Sequence, residues 1–329
     1  MRVTENTNFE TIRNSISRSK GRMENLQMEN ATMKKLNTPS DDPIGASKVL
    51  EIRTEKMNND QYQMNAKMAE TSLANSEQAL GELSDILVRA KEIAIGQASG
   101  ASANNETRLG VAEEVTQLFQ QAVTTANRRI GDRYIFGGYK TQRPPVDGEG
   151  RYQGDDGQML VEIAKDVFLS MNVPGIEAFN TNPKTSYDAQ DVYGAPSRHP
   201  SSTTGLGLQK FEKEPGAENV NVFDELQNLR IALLTGDEEG IRSTLERFDQ
   251  AHASVNAERA KIGSRLNGLQ STAQAIERHN LTNAALSSSL EDADMAQVVS
   301  DLAKEEQVFK SSLASSQKLI QPTLLDFLK

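Results

Sequence analysis

The stretch Phe9–Met33, FETIRNSISRSKGRMENLQMENATM, decides how this chain is read. Phe9, Ile12, Ile16, Ser19, Met23, Leu26, Asn30 and Met33 follow one another in unbroken steps of three and four, which is one stripe along a helix. The other end answers it. In VVSDLAKEEQVFKSSLASSQKLIQPTL (298–324), Val298, Leu302, Phe309, Leu313, Ile320 and Leu324 step by four and seven along a second seam. Helices at opposite ends of a sequence meet only when the chain folds back on itself, so the pattern predicts a hairpin-like helical rod.

Neither terminal seam carries enough apolar residues to offset the conformational entropy of ordering a helix that long. Ser19 and Asn30 sit inside the first seam and Gly21 beside it, and each weakens a solitary pair. The termini are therefore expected to order on assembly, with an ordinary intramolecular coiled coil as the alternative.

Proline placement draws the domain map. None falls between Ile44 and Arg143 or between Gly216 and Gln321, while seven of the ten lie from Pro144 to Pro215. Two long helical arms thus flank a different middle. The first arm opens at Asn37-Thr38-Pro39-Ser40-Asp41-Asp42-Pro43, where Asp42 suits a helix cap and Pro43 its first position. Leu73, Leu80, Leu83, Leu87, Ala90 and Ala94 form its stripe, Met57, Met64 and Met68 keep a looser register, and Gly96 and Gly100 are expected to break it. A second helix carries Ala112, Val115, Phe119, Ala122, Ala126 and Ile130 and ends before Gly131. In the return arm, a short helix around Leu226, Leu229 and Leu233 stops at Thr235-Gly236. Asp237 then caps a helix with core positions from Ile241, Leu245, Phe248 and Val255 through Ile262 and Leu269 to Ile276; His252, Arg259 and Asn280 are its polar members, suited to fixing register.

Between the arms, Arg151–Gln153 and Met159–Ile163 read as strands joined by the turn Gly154-Asp155-Asp156-Gly157, Val167–Val173 as a further strand closed by Pro174-Gly175, and 196–207 as a loop. The expected fold class is mainly α with an inserted β module (α+β). Its divisions are a terminal helix over 1–37, the first half of a helical rod over 38–139, a β-rich outer module over 140–217, the second half of the rod over 218–285, and a second terminal helix over 286–329.

Composition limits function. The formal net charge of −10 argues against nucleic acid and anionic membranes as partners, because both require a concentrated basic face. Without cysteine there are no disulfides or thiolate metal sites. No apolar run reaches the length of a membrane span, and the N-terminus lacks the apolar core and cleavage site of a secretory signal. By those rules alone the chain reads as cytoplasmic.

Catalytic signals are poor. His199, His252 and His279 lack metal-ligand spacing, and no phosphate loop, serine elbow or zinc-protease motif occurs. Asp41-Asp42 suits a cap, Asp155-Asp156-Gly157 a turn, and Asp292 and Asp294 a helix start, where negative charge meets the helix dipole. The expectation is a non-enzyme without catalytic residues, metal or cofactor.

Three segments, LNTPSDDPIGASKVLEIR (36–53), RRIGDRYIFGGYKT (128–141) and the C-terminal run from SSLEDADMAQVV to LLDFLK (288–329), closely resemble the flagellin superfamily; the middle matches mainly through YQGDDGQ and the VPG that follows. The resemblance implies a flagellin-like elongated rod and a structural role at the junction between hook and filament, with bulk filament flagellin as the alternative within the family. It also implies export through the flagellar type III apparatus to an extracellular position on the flagellum, which reconciles a missing signal peptide with an external site. The implied partners are further copies in a helical ring, hook-associated protein 1 on the hook side, flagellin on the filament side, and a cytosolic export chaperone at the C-terminal helix. Carried over residue by residue, the axial assembly contacts fall on Phe9, Ile12, Ile16, Met23, Leu26, Met33, Val298, Leu302, Phe309, Leu313, Ile320 and Leu324. A secretion needle-tip or translocator protein would need membrane-active apolar segments, which this sequence lacks. A wall hydrolase would need a carboxylate or metal site in the middle module.

Overall fold

The computed structural model describes residues 5–98, 105–181 and 219–325. Among these residues, seven helices and four short strands follow in the order α1 (Glu5–Thr32), α2 (Pro43–Ala98), α3 (Asn105–Ala126), β1 (Arg129–Ile130), β2 (Arg133–Tyr134), β3 (Leu160–Ala164), β4 (Val167–Ser170), α4 (Gly175–Phe179), α5 (Val222–Thr235), α6 (Glu238–Glu291) and α7 (Met295–Leu325). The fold is mainly α with a small antiparallel β module, as the sequence predicts. Two compact units divide it, one of residues 1–60 with 276–329 and one of residues 61–275.

The larger unit, 61–275, holds the apolar core. Leu73, Leu80, Leu83, Leu87 and Ala90 of α2 are buried in one cluster with Val115 and Phe119 of α3, Leu226 and Leu229 of α5, and Ile241, Phe248, Val255 and Ile262 of α6. Local signals set the helix ends. Asn221 Oδ1 accepts hydrogen bonds from the Phe223 and Asp224 amides (2.8 and 3.4 Å) to start α5, and Gly236 at φ 71° ends it. Asp237 Oδ1 then accepts from Glu239 and Gly240 (3.1 and 3.0 Å) to start α6. Of the polar members of the α6 stripe, Arg259 donates to Glu77 Oε1 at 2.7 and 3.1 Å, whereas His252 meets Asn256 of its own helix.

Three expectations are corrected here. The hairpin expected to join Arg151–Gln153 to Met159–Ile163 through Gly154–Gly157 is not formed: Tyr152 bridges Val146, and β3 pairs instead with β4 across Lys165-Asp166, where Ala164 meets Val167 and Asp166 takes a left-handed φ of 60°. Asp155 is instead a local acceptor, its Oδ1 taking the Tyr139 and Gly157 amides at 2.6 and 3.1 Å. Helix α3 stops at Ala126, because Arg129-Ile130 pairs with Arg133-Tyr134 across Gly131, whose φ is 59°. Gly96 does not break α2, which continues to Ala98.

The glycine-rich motifs gather at one point of this unit. The Tyr152 hydroxyl lies 2.8 Å from the carbonyl oxygens of both Phe136 and Asp155, and the Gly175 amide donates to Phe136 O at 2.9 Å. Phe136, Phe179 and Phe223 meet edge to face, with ring centres 5.1 and 5.3 Å apart. Gly138 has no room for a side chain, since a Cβ there would fall 2.0 Å from Asp155 Oδ1. Thus FGGY, YQGDDGQ and VPG close one knot, and burial pushes the Tyr152 phenol far above its ordinary range.

The smaller unit, 1–60 with 276–329, contains α1, α7 and the adjoining ends of α2 and α6. Asp42 Oδ1 caps α2 by accepting from the Ile44 and Gly45 amides at 3.1 and 3.0 Å. Asp41 closes the preceding turn, taking the Thr38 amide at 2.8 Å and the Thr38 hydroxyl at 2.7 Å, which together hold its carboxyl below the usual range. Asn59 Nδ2 donates to Asn280 Oδ1 at 2.8 Å and Asn283 Nδ2 to Glu55 Oε2 at 3.0 Å, a polar layer between α2 and α6.

Candidate functional site: the terminal helix pair

Helices α1 and α7 lie side by side and antiparallel, with Ser19 opposite Glu305 and Met33 opposite Ala293. Short backbone connections hold them so. Lys35 N donates to Glu291 O at 2.8 Å, Ala293 N to Met33 O at 3.0 Å, and Lys34 bridges Asp292 as an isolated antiparallel pair. Glu291, nearly buried, accepts Lys34 Nζ at 3.2 Å and also pairs with Arg53 of α2. Asp294 Oδ1 then caps α7, accepting from Ala296 and Gln297 at 2.9 and 3.3 Å.

At the centre of the pair, Ser19 Oγ donates to Glu305 Oε1 at 2.7 Å and Arg22 reaches the same oxygen at 3.1–3.2 Å. The Ser19 hydrogen bond, followed by the Arg22 contacts, holds the Glu305 carboxyl below the usual range. Nearer the helix ends a groove of about 400 Å³ opens between Ile12, Ser15 and Ile16 of α1 and Val308, Ser311 and Ser315 of α7.

The residues expected to make axial contacts fall into distinct groups. Val298 is buried; Ile12, Ile16, Met23, Leu26, Leu302 and Phe309 are half-buried; Leu313 is exposed. Met33 lies one residue beyond α1, exposed and at φ 57°. Phe9, Ile320 and Leu324 belong to the helices, but their side chains lie outside the described residues.

The energetics of the two units differ sharply. Among the described residues of the smaller unit, the buried apolar side chains are Val49, Ile52, Ile276 and Val298, and none belongs to the main cluster. Ile44, Leu50, Met57, Leu281, Val299 and Val308 are meanwhile exposed. At roughly 1.5–3 kcal/mol per buried side chain, this unit gains little from its own packing. The two stripes are legible in the sequence, whereas Glu291 and Glu305 are not, because their cationic and hydroxyl partners lie hundreds of residues away and leave no local periodicity.

Comparison with known proteins fits these elements. The bacterial flagellin N-terminal helical region matches residues 3–141, and the bacterial flagellin C-terminal helical region matches residues 245–328, together more than half of the chain. Flagellar hook-associated protein 3 of Escherichia coli is 24% identical over 294 residues, which are 86% of this chain and 85% of that protein. Its Salmonella typhimurium counterpart is 26% identical over 183 residues, 55% of this chain, so that the chain spans only 57% of that relative's length. The crystal structure of flagellar hook-associated protein 3 from Legionella pneumophila shares the fold with a TM-score of 0.56 at 19% identity, covering 72% of this chain and 97% of that one. With both helical regions matched in order at the two ends of the sequence, the chain belongs to the flagellin superfamily.

Proposed function

We propose that this chain is a structural protein of the bacterial flagellum that joins hook to filament, and that its terminal helices complete their folding only when copies assemble into an axial coiled-coil tube. The observation that carries this reading is the contrast between the two units: among the described residues the apolar stripes of α1 and α7 are largely half-buried or exposed, whereas the larger unit has a continuous core. Neighbouring copies supply the missing core, so the free energy of packing is realised at the growing tip and not in the free chain. Under this reading the axial contacts are Phe9, Ile12, Ile16, Met23, Leu26 and Met33 with Val298, Leu302, Phe309, Leu313, Ile320 and Leu324. The 1–37 and 286–329 segments are the axial helices, 38–139 and 218–285 the rod, and 140–217 the outer module.

The relatives named hook-associated protein 3 support the junction over the bulk filament. The partners are then hook-associated protein 1 on one side and flagellin on the other, with a cytosolic chaperone on the C-terminal helix before type III export to the extracellular flagellum. No enzymatic step is part of this role. Deleting the gene in its native host and imaging the cells tests it. Bare hooks with flagellin monomers in the medium are expected; hooks that still carry their junction proteins, with no flagellin anywhere, would make this the filament subunit, and unaltered filaments would overturn the assembly reading.

A further inference from the structure

The larger unit holds a cavity of about 370 Å³, a size within the range of small-molecule sites, and every residue that lines it belongs to that unit. Its wall is apolar, made by Met68 of α2, Ile130 of β1, Ile135, and Met159 and Met171 on either side of the β3–β4 pair. Three of the chain's ten methionines thus meet here, and their unbranched thioether side chains adapt to a flexible guest. Exposure orders the lining. Ile135 and Asn172 are buried and form the floor, whereas Met68, Thr71 and Arg133 are exposed and mark the mouth.

Backbone bonds hold the cavity open in the free chain. Met159 N donates to Asn172 Oδ1 at 2.7 Å and Met171 N to Met159 O at 2.9 Å, while Asn172 Nδ2 donates to Gly157 O at 2.9 Å. On the other side, Ile130 pairs with Arg133, and Tyr134 N donates to Thr141 O at 2.9 Å. A wall ordered in advance spares a ligand the cost of ordering it.

Charge at the mouth is one-sided. Arg129 pairs with Asp132 at 3.7 Å, and its guanidinium also lies 5.1 Å from the centre of the Tyr134 ring. Among the described residues, Arg133 has no carboxylate within ion-pair distance and the Tyr134 hydroxyl has no hydrogen-bond partner. A guanidinium presents a planar fork of donors that matches a carboxylate, and the phenol adds one more.

We propose that this cavity binds a medium-chain fatty acid as its carboxylate, with the tail among Met68, Ile135, Met159 and Met171 and the head group at Arg133 and the Tyr134 hydroxyl. The wall selects an apolar tail, and the unpaired guanidinium selects a single negative charge. The site lies wholly within the larger unit and does not depend on the assembly reading.

Decanoate, kept below its micelle concentration, is the probe. Full-length chain isotopically labelled at its methionine methyls is titrated and followed by NMR. The Met68, Met159 and Met171 resonances are expected to move together and saturate at one decanoate per chain, while those of the exposed Met33 and Met57 stay in place. Arg133→Gln is expected to weaken binding about tenfold. Thr71→Trp, at the exposed lip, should fill the mouth and abolish saturation. Decanol in place of decanoate should bind the unaltered chain about tenfold more weakly, a comparison that needs no variant to fold.

No saturable shift overturns the inference, as do equal shifts at Met33 and Met57, which would mark a surfactant effect. Equal affinity for decanol and decanoate overturns the carboxylate ligand. A chain inert to decanoate whose Thr71→Trp variant is lost from flagella gives the cavity to a neighbouring copy, and that result overturns the inference as well.

Discussion

Ser19 and Glu305, separated by 286 residues, are joined by a 2.7 Å hydrogen bond at the centre of the α1–α7 pair. A serine that looks like a defect in an apolar seam is therefore its anchor, and Arg22 adds a second donor to the same carboxylate oxygen. Since these contacts lower the Glu305 pKa, their contribution is present above the ordinary glutamate range. It is lost as the pH falls through the still lower value of the paired state. Acid should weaken the pair, and Glu305→Gln should flatten that dependence, read as the release of subunits from isolated flagella against pH.

Phe309→Asp and Leu313→Asp should each block incorporation without unfolding the larger unit. Both residues lie on the terminal stripe, and neither belongs to the main core. A charge placed on a stripe that must be covered costs its desolvation only on assembly. The check is a normal melting transition for the purified variant together with its absence from flagella; normal filaments carrying either variant would contradict the assignment.

Gly138→Ala should destabilise the larger unit by at least about 1–3 kcal/mol through overpacking and strain. Its backbone sits at φ 68°, and the new Cβ would meet both Asp155 Oδ1 and Asp155 O. The neighbouring Gly148 has open space, so Gly148→Ala serves as the control in denaturant unfolding.

Glu225 is nearly buried on α5. Its Oε1 lies 3.5 Å from Arg247 and 3.4 Å from Asn228, while Oε2 has no hydrogen-bond partner among the described residues. Burial raises its pKa, with Arg247 opposing. The native state thus binds a proton more readily than the unfolded chain, and this group's penalty is relieved as pH falls toward the ordinary glutamate range. Glu225→Gln should stabilise the unit by about 1 kcal/mol at pH 7, with a smaller gain near pH 4–5, in paired unfolding curves.

The parts legible in the sequence are those with local or periodic causes. The α2 leucines, the α6 stripe and the caps at Asp42 and Asp237 lie where their spacing places them. The partner of β3 was not legible, because the glycine-flanked Asp155-Asp156 advertises a turn back to Arg151–Gln153 more strongly than Lys165-Asp166, where Asp166 adopts the left-handed conformation, advertises one to β4. The end of α3 was hidden because Ile130 continues the helical stripe yet is claimed by a strand pair. Glu291 escaped for a different reason: its cations, Lys34 and Arg53, come from the far end of the chain. The terminal stripes were visible throughout, but their partial cover appears only when each side chain is placed.

Amide hydrogen exchange on the free full-length chain and on the chain within isolated flagella tests the coupling of folding to assembly most directly. Amides of 5–32 and 295–325 should exchange at nearly unprotected rates in the free chain, while those of α2 and α6 within 61–275 stay protected; on assembly the terminal amides should become protected as well. Terminal amides as strongly protected in the free chain as those of the main core would contradict the account.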